Sequence, residues 1–430
     1  MGNEWPRLTL REAHVRLIDC DHRTPPAADS GYPYVAIPQL SDGRIDIASA
    51  RRISYTDFVD WTRRAAPAPD DIVLSRRTNP GVTAFVPDGL EFALGQNLVL
   101  LRSDGTVVFP PFLRWLVRGP DWWEQIGRFL NVGAVFDSLK CIDIPNFRLP
   151  IPPLPEQRRI ADILGALDDK IELNRRMNQT LDSIVRALFK SWFVDFDPVR
   201  AKSEGRDTGL PPHLAGQFPD SFEDSELGEI PNGWRVSGLD EIATFLNGLA
   251  LQKYPPDHGG SLPVVKIAQL RTGNTVGADR ASADIPPAYV VEDGDVLFSW
   301  SGSLEIEIWC GGRGALNQHL FKVTSSTFPK WFYLLWTRHH LADFRGIAAG
   351  KATTMGHIQR GHLSAARALV PPPRLVEAMS AHFEPLLDDL IAGRLQSRIL
   401  VALRDALIPK LIAGEIRVRD AERSLEEARR

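Results

Sequence analysis

Residues 152–198 read PPLPEQRRIADILGALDDKIELNRRMNQTLDSIVRALFKSWFVDFDP. Within them Ile160, Leu164, Leu167, Ile171, Asn174, Asn178, Leu181, Val185, Leu188 and Trp192 follow one another at alternating spacings of four and three, which places them in one seam along a helix. A seam of that length requires a partner helix. Pro155 suits the first helical turn, where its missing N–H would have no partner, and Asp197-Pro198 is expected to close the run. At about 1.5 Å per residue the helix spans on the order of 58 Å. Asn174 and Asn178 interrupt the apolar seam: either they fix the register of the pair at a cost in stability, or they are exposed where the helices splay. Trp192 and Phe193 at the far end read as core or as a docking surface.

A chain of 430 residues exceeds one ordinary core, so two or three domains are expected. Hydrophobic residues make up 43% and charged residues 24%, the balance of a soluble globular protein. No apolar run approaches the roughly 18 residues of a membrane span, and the N-terminus lacks a signal-peptide core, so a cytoplasmic location is expected. Cys20, Cys141 and Cys310 are far apart in sequence and suggest neither a disulfide framework nor a metal cluster. The net charge of −4 neither supports nor excludes a nucleic-acid partner, because the acidity is concentrated. Residues 201–232 alone hold two basic and seven acidic side chains and read as a Pro/Gly-rich linker.

The first 150 residues mix short apolar runs with Gly, Pro and Asp turns, the texture of a strand-rich α+β domain. After the linker the pattern begins again. YPYVAIPQL at 32–40 is answered by LPVVKIAQL at 262–270, PDDIVLSRR at 69–77 by DGDVLFSWS at 293–301, and GQNLVLLRSDG at 95–105 by NQHLFKVTSST at 317–327. The prolines Pro150, Pro152 and Pro153 return as Pro371, Pro372 and Pro373, and Leu167-Asp168-Asp169 as Leu387-Asp388-Asp389. Five echoes in the same order indicate an internal duplication. Residues 374–412 carry Val376, Met379, Phe383, Leu386 and Leu390, then Leu400, Leu403, Leu407 and Leu411 after a weaker patch near Gly393, and form a second candidate long helix that Pro409 kinks or ends. The expected organisation is a strand-rich domain at 1–150, a helix at 151–198, a linker at 199–232, a second strand-rich domain at 233–370, a second helix at 371–415 and a charged tail at 416–430. Packing the helices on each other buries both seams.

Motifs for catalysis fail on spacing. Gly346–Ala352 resembles a phosphate loop but has too few residues between its glycines and no Ser or Thr after Lys351. Asp168-Asp169-Lys170 imitates a nuclease carboxylate–lysine cluster, but its second copy replaces the Lys with Leu390, and solvated helix charge is the expected role. There is no Gly-rich cofactor loop and no Asn-Pro-Pro-aromatic tetrapeptide, and His339-His340 stand in an aromatic run without further ligands. No catalytic residue and no metal site is expected. Side chains suited to base edges or phosphates follow strands in both halves: Arg76, Arg77 and Asn79 in the first, Lys266, Arg271, Ser299 and Ser301 in the second, with Lys351, Thr353 and Thr354 in a later loop.

The blocks PIPPLPEQRRIADILGALDDKIELN (150–174), ALFKSWFVDFDPV (187–199), LGEIPNGWRV (227–236), KATTMGHIQRGHL (351–363) and ALIPKLIAGEIRV (406–418) make the chain resemble the DNA-specificity subunits of type I restriction-modification enzymes. The resemblance covers nearly the whole chain. It implies an α+β fold with two target-recognition domains in tandem, each followed by a conserved helix, the two helices pairing as an antiparallel coiled coil with pseudo-two-fold symmetry. It further implies that each domain reads one half of a split sequence in double-stranded DNA, and that the helices set the gap and dock two methyltransferase subunits, which support restriction subunits. S-adenosylmethionine, ATP and Mg²⁺ would then belong to partners, with no cofactor in this chain. Glu156, Gln157, Arg158, Asp168, Asp169, Asp388 and Asp389 are the candidate contacts of the docking helices. The second entrance, VPPPRLVEAMS, departs from the pattern in lacking Glu-Gln. The alternative reading is a stand-alone DNA-modifying or DNA-cleaving enzyme with a disguised site, and a third is a scaffold that does not touch DNA.

Overall fold

The computed structural model describes residues 5–133, 137–256, 259–350, 356–416 and 418. They fall into two compact units, one drawn from Met1–Lys170 and Leu400–Arg430, the other from Ile171–Ile399. Among the described residues no helix is long and apolar enough to cross a membrane.

In the first unit a four-stranded antiparallel sheet takes the order Val15–Asp19, Leu98–Ser103, Ile72–Ser75, Thr83–Phe85. The strand Ile72–Ser75 is buried at every position, as an interior strand covered on both faces must be. A smaller sheet orders Arg51–Ile53, Tyr32–Val35 and Ala93–Leu94, the last pair parallel. The strand Arg7–Thr9 pairs with Arg148–Pro150, and the Ile151 amide donates to the Pro6 carbonyl at 2.9 Å, so the chain returns to its start before the long helix begins.

The second unit repeats this plan. Its main sheet runs Thr244–Asn247, Leu320–Thr324, Val296–Ser299, Ile306–Ile308, again antiparallel throughout and again with a fully buried interior strand. The smaller sheet runs Arg280–Ser282, Ser261–Val265, Gly314–Leu316, Val290–Val291, with the same parallel pairing in the middle. Arg235–Gly238 pairs with Arg367–Val370 as Arg7–Thr9 does with Arg148–Pro150. The main sheets share strand order and pairing sense and the smaller sheets differ only by the added strand Val290–Val291, which is the structural form of the duplication.

Both long helices exist, Leu154–Phe189 and Pro373–Ile412. Pro155 lies in the first turn as expected. The far end differs: the α-helix passes into a π-helical turn at Lys190–Val194, and Asp197-Pro198 open a new helix, Asp197–Ser203, after Phe196 takes the left-handed conformation. Pro409 does not stop the second helix, which continues to Ile412. The seam is the buried stripe: Ile160, Leu164, Leu167, Asn174, Val185 and Trp192 are buried, and Ile171, Asn178, Leu181 and Leu188 half-buried.

Each unit holds part of both helices. In the first, Ile160, Leu164 and Leu167 share a core with Leu407, Leu411 and Ile412. In the second, Asn174 Nδ2 donates to Gln396 Oε1 at 2.8 Å, Asn178 lies against Gly393, and Trp192 meets Phe383 edge-on with ring centroids 5.4 Å apart. Numbers rising on one helix meet numbers falling on the other, so this pair is antiparallel. The weak patch near Gly393 has a physical reason: a Cβ there would stand 2.6 Å from Asn178 Oδ1, so a larger residue would force the Asn178 side chain to move. Trp192 and Phe193 are core.

Residues 199–232 are folded, not a bare tether. Val199, Leu214, Phe218 and Ile230 enter the core of the second unit, and Phe222–Ser225 pairs with Gly228–Pro231 in a hairpin. The acidic side chains line the outside of a segment whose few apolar residues dock it. The charged tail 416–430 lies almost wholly outside the described residues.

Candidate nucleic-acid interface

The parallel strand pair of each small sheet ends in a tight turn that feeds the central strand of the main sheet. In the first unit the Gly95 amide donates to Val35 O at 2.7 Å and the Leu98 amide to Gly95 O at 2.9 Å. In the second, Asn317 N donates to Val265 O at 3.2 Å and Leu320 N to Asn317 O at 3.0 Å. The turns are equivalent, and they carry Gln96-Asn97 in one unit and Gln318-His319 in the other. A second shared device stands beside them: Gln39 Oε1 accepts from the Ala36 amide at 3.1 Å, and Gln269 Oε1 from the Lys266 amide at 3.3 Å.

In the first unit this region is a cleft of about 670 Å³ whose polar lining includes Gln39, Arg51, Asn79, Gln96 and Asn97. Arg51 is held by a hydrogen bond to Pro25 O and by the Tyr34 ring, 4.8 Å from its guanidinium carbon. Tyr34 in turn accepts from the Gln96 amide at 3.2 Å, so the cation and the turn share one aromatic support. Asn79 is exposed on a loop where Thr78 has a φ of 64°, a left-handed kink that turns the chain past the strand end. Amides bind adenine edges bidentately and guanidinium binds guanine or phosphate, so the lining suits DNA.

In the second unit Trp300 Nε1 donates to Asn247 Oδ1 at 2.9 Å and to Gln318 O at 3.1 Å, and Ser301 Oγ lies 2.9 Å from His319 Nδ1. The indole and the serine thereby fix the turn that presents Gln318 and His319, both half-buried.

Several side chains expected at the interface are structural instead. Arg76 is buried, donates to Leu139 O at 3.4 Å and faces Asp19 at 4.0 Å. Ser299 is fully buried, its hydroxyl donating to Ser303 O at 2.7 Å. Ser301 is buried against His319. The last residue of a strand reads as exposed in sequence, but here the following loop folds back over it. Arg77, Asn79, Lys266 and Arg271 are exposed, Lys266 in an ion pair with Asp279. Lys351, Thr353 and Thr354 lie outside the described residues.

The helix positions divide similarly. Gln157 is buried: its Oε1 accepts from the Phe109 amide at 2.7 Å, and its Nε2 donates to Val107 O at 2.9 Å and Pro152 O at 2.7 Å. Asp168, expected on a solvated flank, is also buried, accepting from Arg404 at 2.7 Å and Arg44 at 3.0 Å. Neither can offer its side chain to a partner, because intramolecular donors and acceptors occupy it. Glu156 is half-buried, Arg158 is exposed over the Phe109 ring, and Asp169, Asp388 and Asp389 are exposed. Gly346–Ala349 lie inside the helix Leu341–Ala349, which excludes a phosphate loop there. His340 Nε2 is 2.8 Å from Arg367 O, and burial pulls the His339 imidazole below its ordinary pKa with His340 adding to it, as in a packed pair.

Gln96, Asn97, Gln318 and His319 stand at these turns, although the sequence expectations above do not include them. The signal was present in the echo of GQNLVLL by NQHLFKV, where polar residues precede each central strand.

Three comparisons bear on this geometry. Residues 22–183 match the family model of the type I restriction modification DNA specificity domain. The chain is 23% identical over 415 residues to the type I restriction enzyme HindI specificity subunit of Haemophilus influenzae, covering 84% of this chain and 89% of that one. It is 25% identical over 362 residues to the MjaIX specificity subunit of Methanocaldococcus jannaschii, covering 81% and 78%. A crystal structure of the S subunit of a type I system from M. genitalium superposes with a TM-score of 0.56 at 14% identity over 96% of this chain and 97% of that one, a likeness of fold.

Proposed function

We infer that this chain is a specificity subunit of a type I restriction-modification enzyme, the non-catalytic, DNA-reading member of a multi-subunit assembly. Each unit reads one half of a bipartite sequence in double-stranded DNA, and the helix pair acts as the spacer and as a dock for methyltransferase and restriction subunits. S-adenosylmethionine, ATP and Mg²⁺ act on those partners. The observation that carries the reading is the repeated turn, Gln96-Asn97 and Gln318-His319, set at the same place in two copies of one sheet plan. One copied scaffold with different side chains at the same point is what reading two different half-sites requires.

Methylation profiling of host DNA tests this. A two-part motif with a fixed gap should be methylated, and the methylation should vanish when this chain is deleted; unchanged methylation refutes the reading. Inserting one heptad at matched points in both long helices should widen the gap by roughly 10 Å, about three base pairs. A gap of constant length would remove the spacer role. The purified chain alone should neither methylate nor cleave DNA.

A further inference from the structure

On the turn of the second unit both reading side chains are held on one side by partners within the unit, and the groups left over are both donors. Buried Asn317 orients the first. Its Oδ1 accepts from the His319 amide at 3.2 Å, and because a backbone N–H can only donate, Nδ2 is the atom that faces Gln318 Oε1, also at 3.2 Å. Gln318 Oε1 is thus turned toward Asn317, and its Nε2 amino group is the free end. Ser301 orients the second. Its hydroxyl is buried and, among the described residues, bonds only His319 Nδ1, at 2.9 Å. A proton on Nδ1 would leave that O–H buried without an acceptor, so Nδ1 accepts and the imidazole carries its proton on Nε2. The turn itself is fixed: Gly248 passes so close that a Cβ there would stand 2.2 Å from Asn317 O, and Trp300 Nε1 donates to Gln318 O at 3.1 Å.

We propose that Gln318 and His319 read a guanine in the major groove, donating from Gln318 Nε2 and His319 Nε2 to the O6 and N7 of one base. The proposal rests on the DNA-reading function above and names a base for the second unit. Two donors side by side need two acceptors side by side. In the major groove guanine alone presents such a pair; adenine and cytosine place an amino donor there, and thymine has one acceptor beside a methyl group. The first unit lacks this commitment. Gln96 bonds through its backbone amide and carbonyl, and among the described residues no hydrogen bond holds the side-chain amides of Gln96 or Asn97. Those amides keep both donor and acceptor, the combination that pairs with adenine. The duplicated turn therefore carries two different chemistries.

Oligonucleotides bearing the methylated motif, offered to the full chain assembled with its methyltransferase partners, test the assignment. In the half-site that Gln318 and His319 variants relax, 7-deazaguanine, which has a C–H in place of N7, should weaken binding of the parent about tenfold. It should make no further difference once Gln318→Ala and His319→Ala have removed both donors. Gln318→Glu keeps an oxygen for the Asn317 amide and makes the other end an acceptor, so methylation should move from guanine toward cytosine, whose N4 donates. Ser301→Ala frees Nδ1 to carry the proton, His319 can then present an acceptor, and adenine should become tolerated. A damaged fold lowers methylation of every sequence alike and cannot exchange one base for another. A half-site without guanine, a 7-deazaguanine that does not weaken the parent, or an unchanged preference in Gln318→Glu overturns the guanine assignment alone; the last two are what a phosphate contact would give. A parent that methylates no two-part motif refutes the sequence-reading role and this assignment with it.

Discussion

Asp168 faces Arg404, which is wholly buried, with Arg44 at 3.0 Å and Arg114 at 3.9 Å from the same carboxylate. Burial works against the Arg404 charge, but Asp405, Asp42 and Asp168 together outweigh it and raise the guanidinium above its ordinary pKa. Asp168→Ala leaves that cation short of its nearest counter-charge and should destabilise the first unit by about 3 kcal/mol, read as a fall in the denaturant midpoint. Asp293 makes a pH-dependent contact in the second unit. The hydrogen bond from Arg398 holds its carboxyl below the usual carboxylate range, against the effect of burial and with help from the Gly312 amide. A lowered carboxylate pKa adds stability above the unfolded value, near pH 4, and that stability is lost as pH falls through the folded value. Melting curves of Arg398→Ala and the parent should therefore differ near neutrality and converge in acid.

At the scale of the element, the two long helices approach closely at Gly393. Gly393→Ala places a methyl group where Asn178 Oδ1 stands, and overpacking of this kind costs about 1–3 kcal/mol. Asn178→Ala in the same chain should recover most of the loss, since it removes the atom that clashes. A double-mutant cycle with no coupling between the two positions would show that the contact carries no strain. The helices themselves were legible because the 3–4 spacing of Ile160 through Trp192 is a local property. The π-helical turn at Lys190–Val194 was not, because Phe189, Trp192 and Phe193 pack against Trp331, Trp336 and Phe383, residues far along the chain.

At the scale of the whole molecule, the proposed reading requires the two turns to act on separate halves of the motif. Gln96→Ala with Asn97→Ala should relax recognition of one half-site, and Gln318→Ala with His319→Ala of the other, each by about 1–3 kcal/mol for every base that the truncated side chains no longer bond. Methylation of oligonucleotides with single substitutions checks this. Relaxation of both halves by one pair of substitutions would show that the turns act on folding instead. Binding of either pair of variants should weaken with salt as the parent does, because phosphate contacts are left in place.

Sequence alone determined the duplication, the two long helices and their seam, because periodicity and repeated blocks are written along the chain and need no knowledge of what lies across from them. Tertiary structure decided which charges are solvated and which are sealed: Asp168 against Arg404, Gln157 against three backbone groups, and Arg76 against Asp19. It also folded the acidic stretch 199–232 onto the second unit. A side chain's environment is set by partners as far as 362 positions away, as Arg404 is from Asp42, and that distance is closed only when the sheets and helices pack.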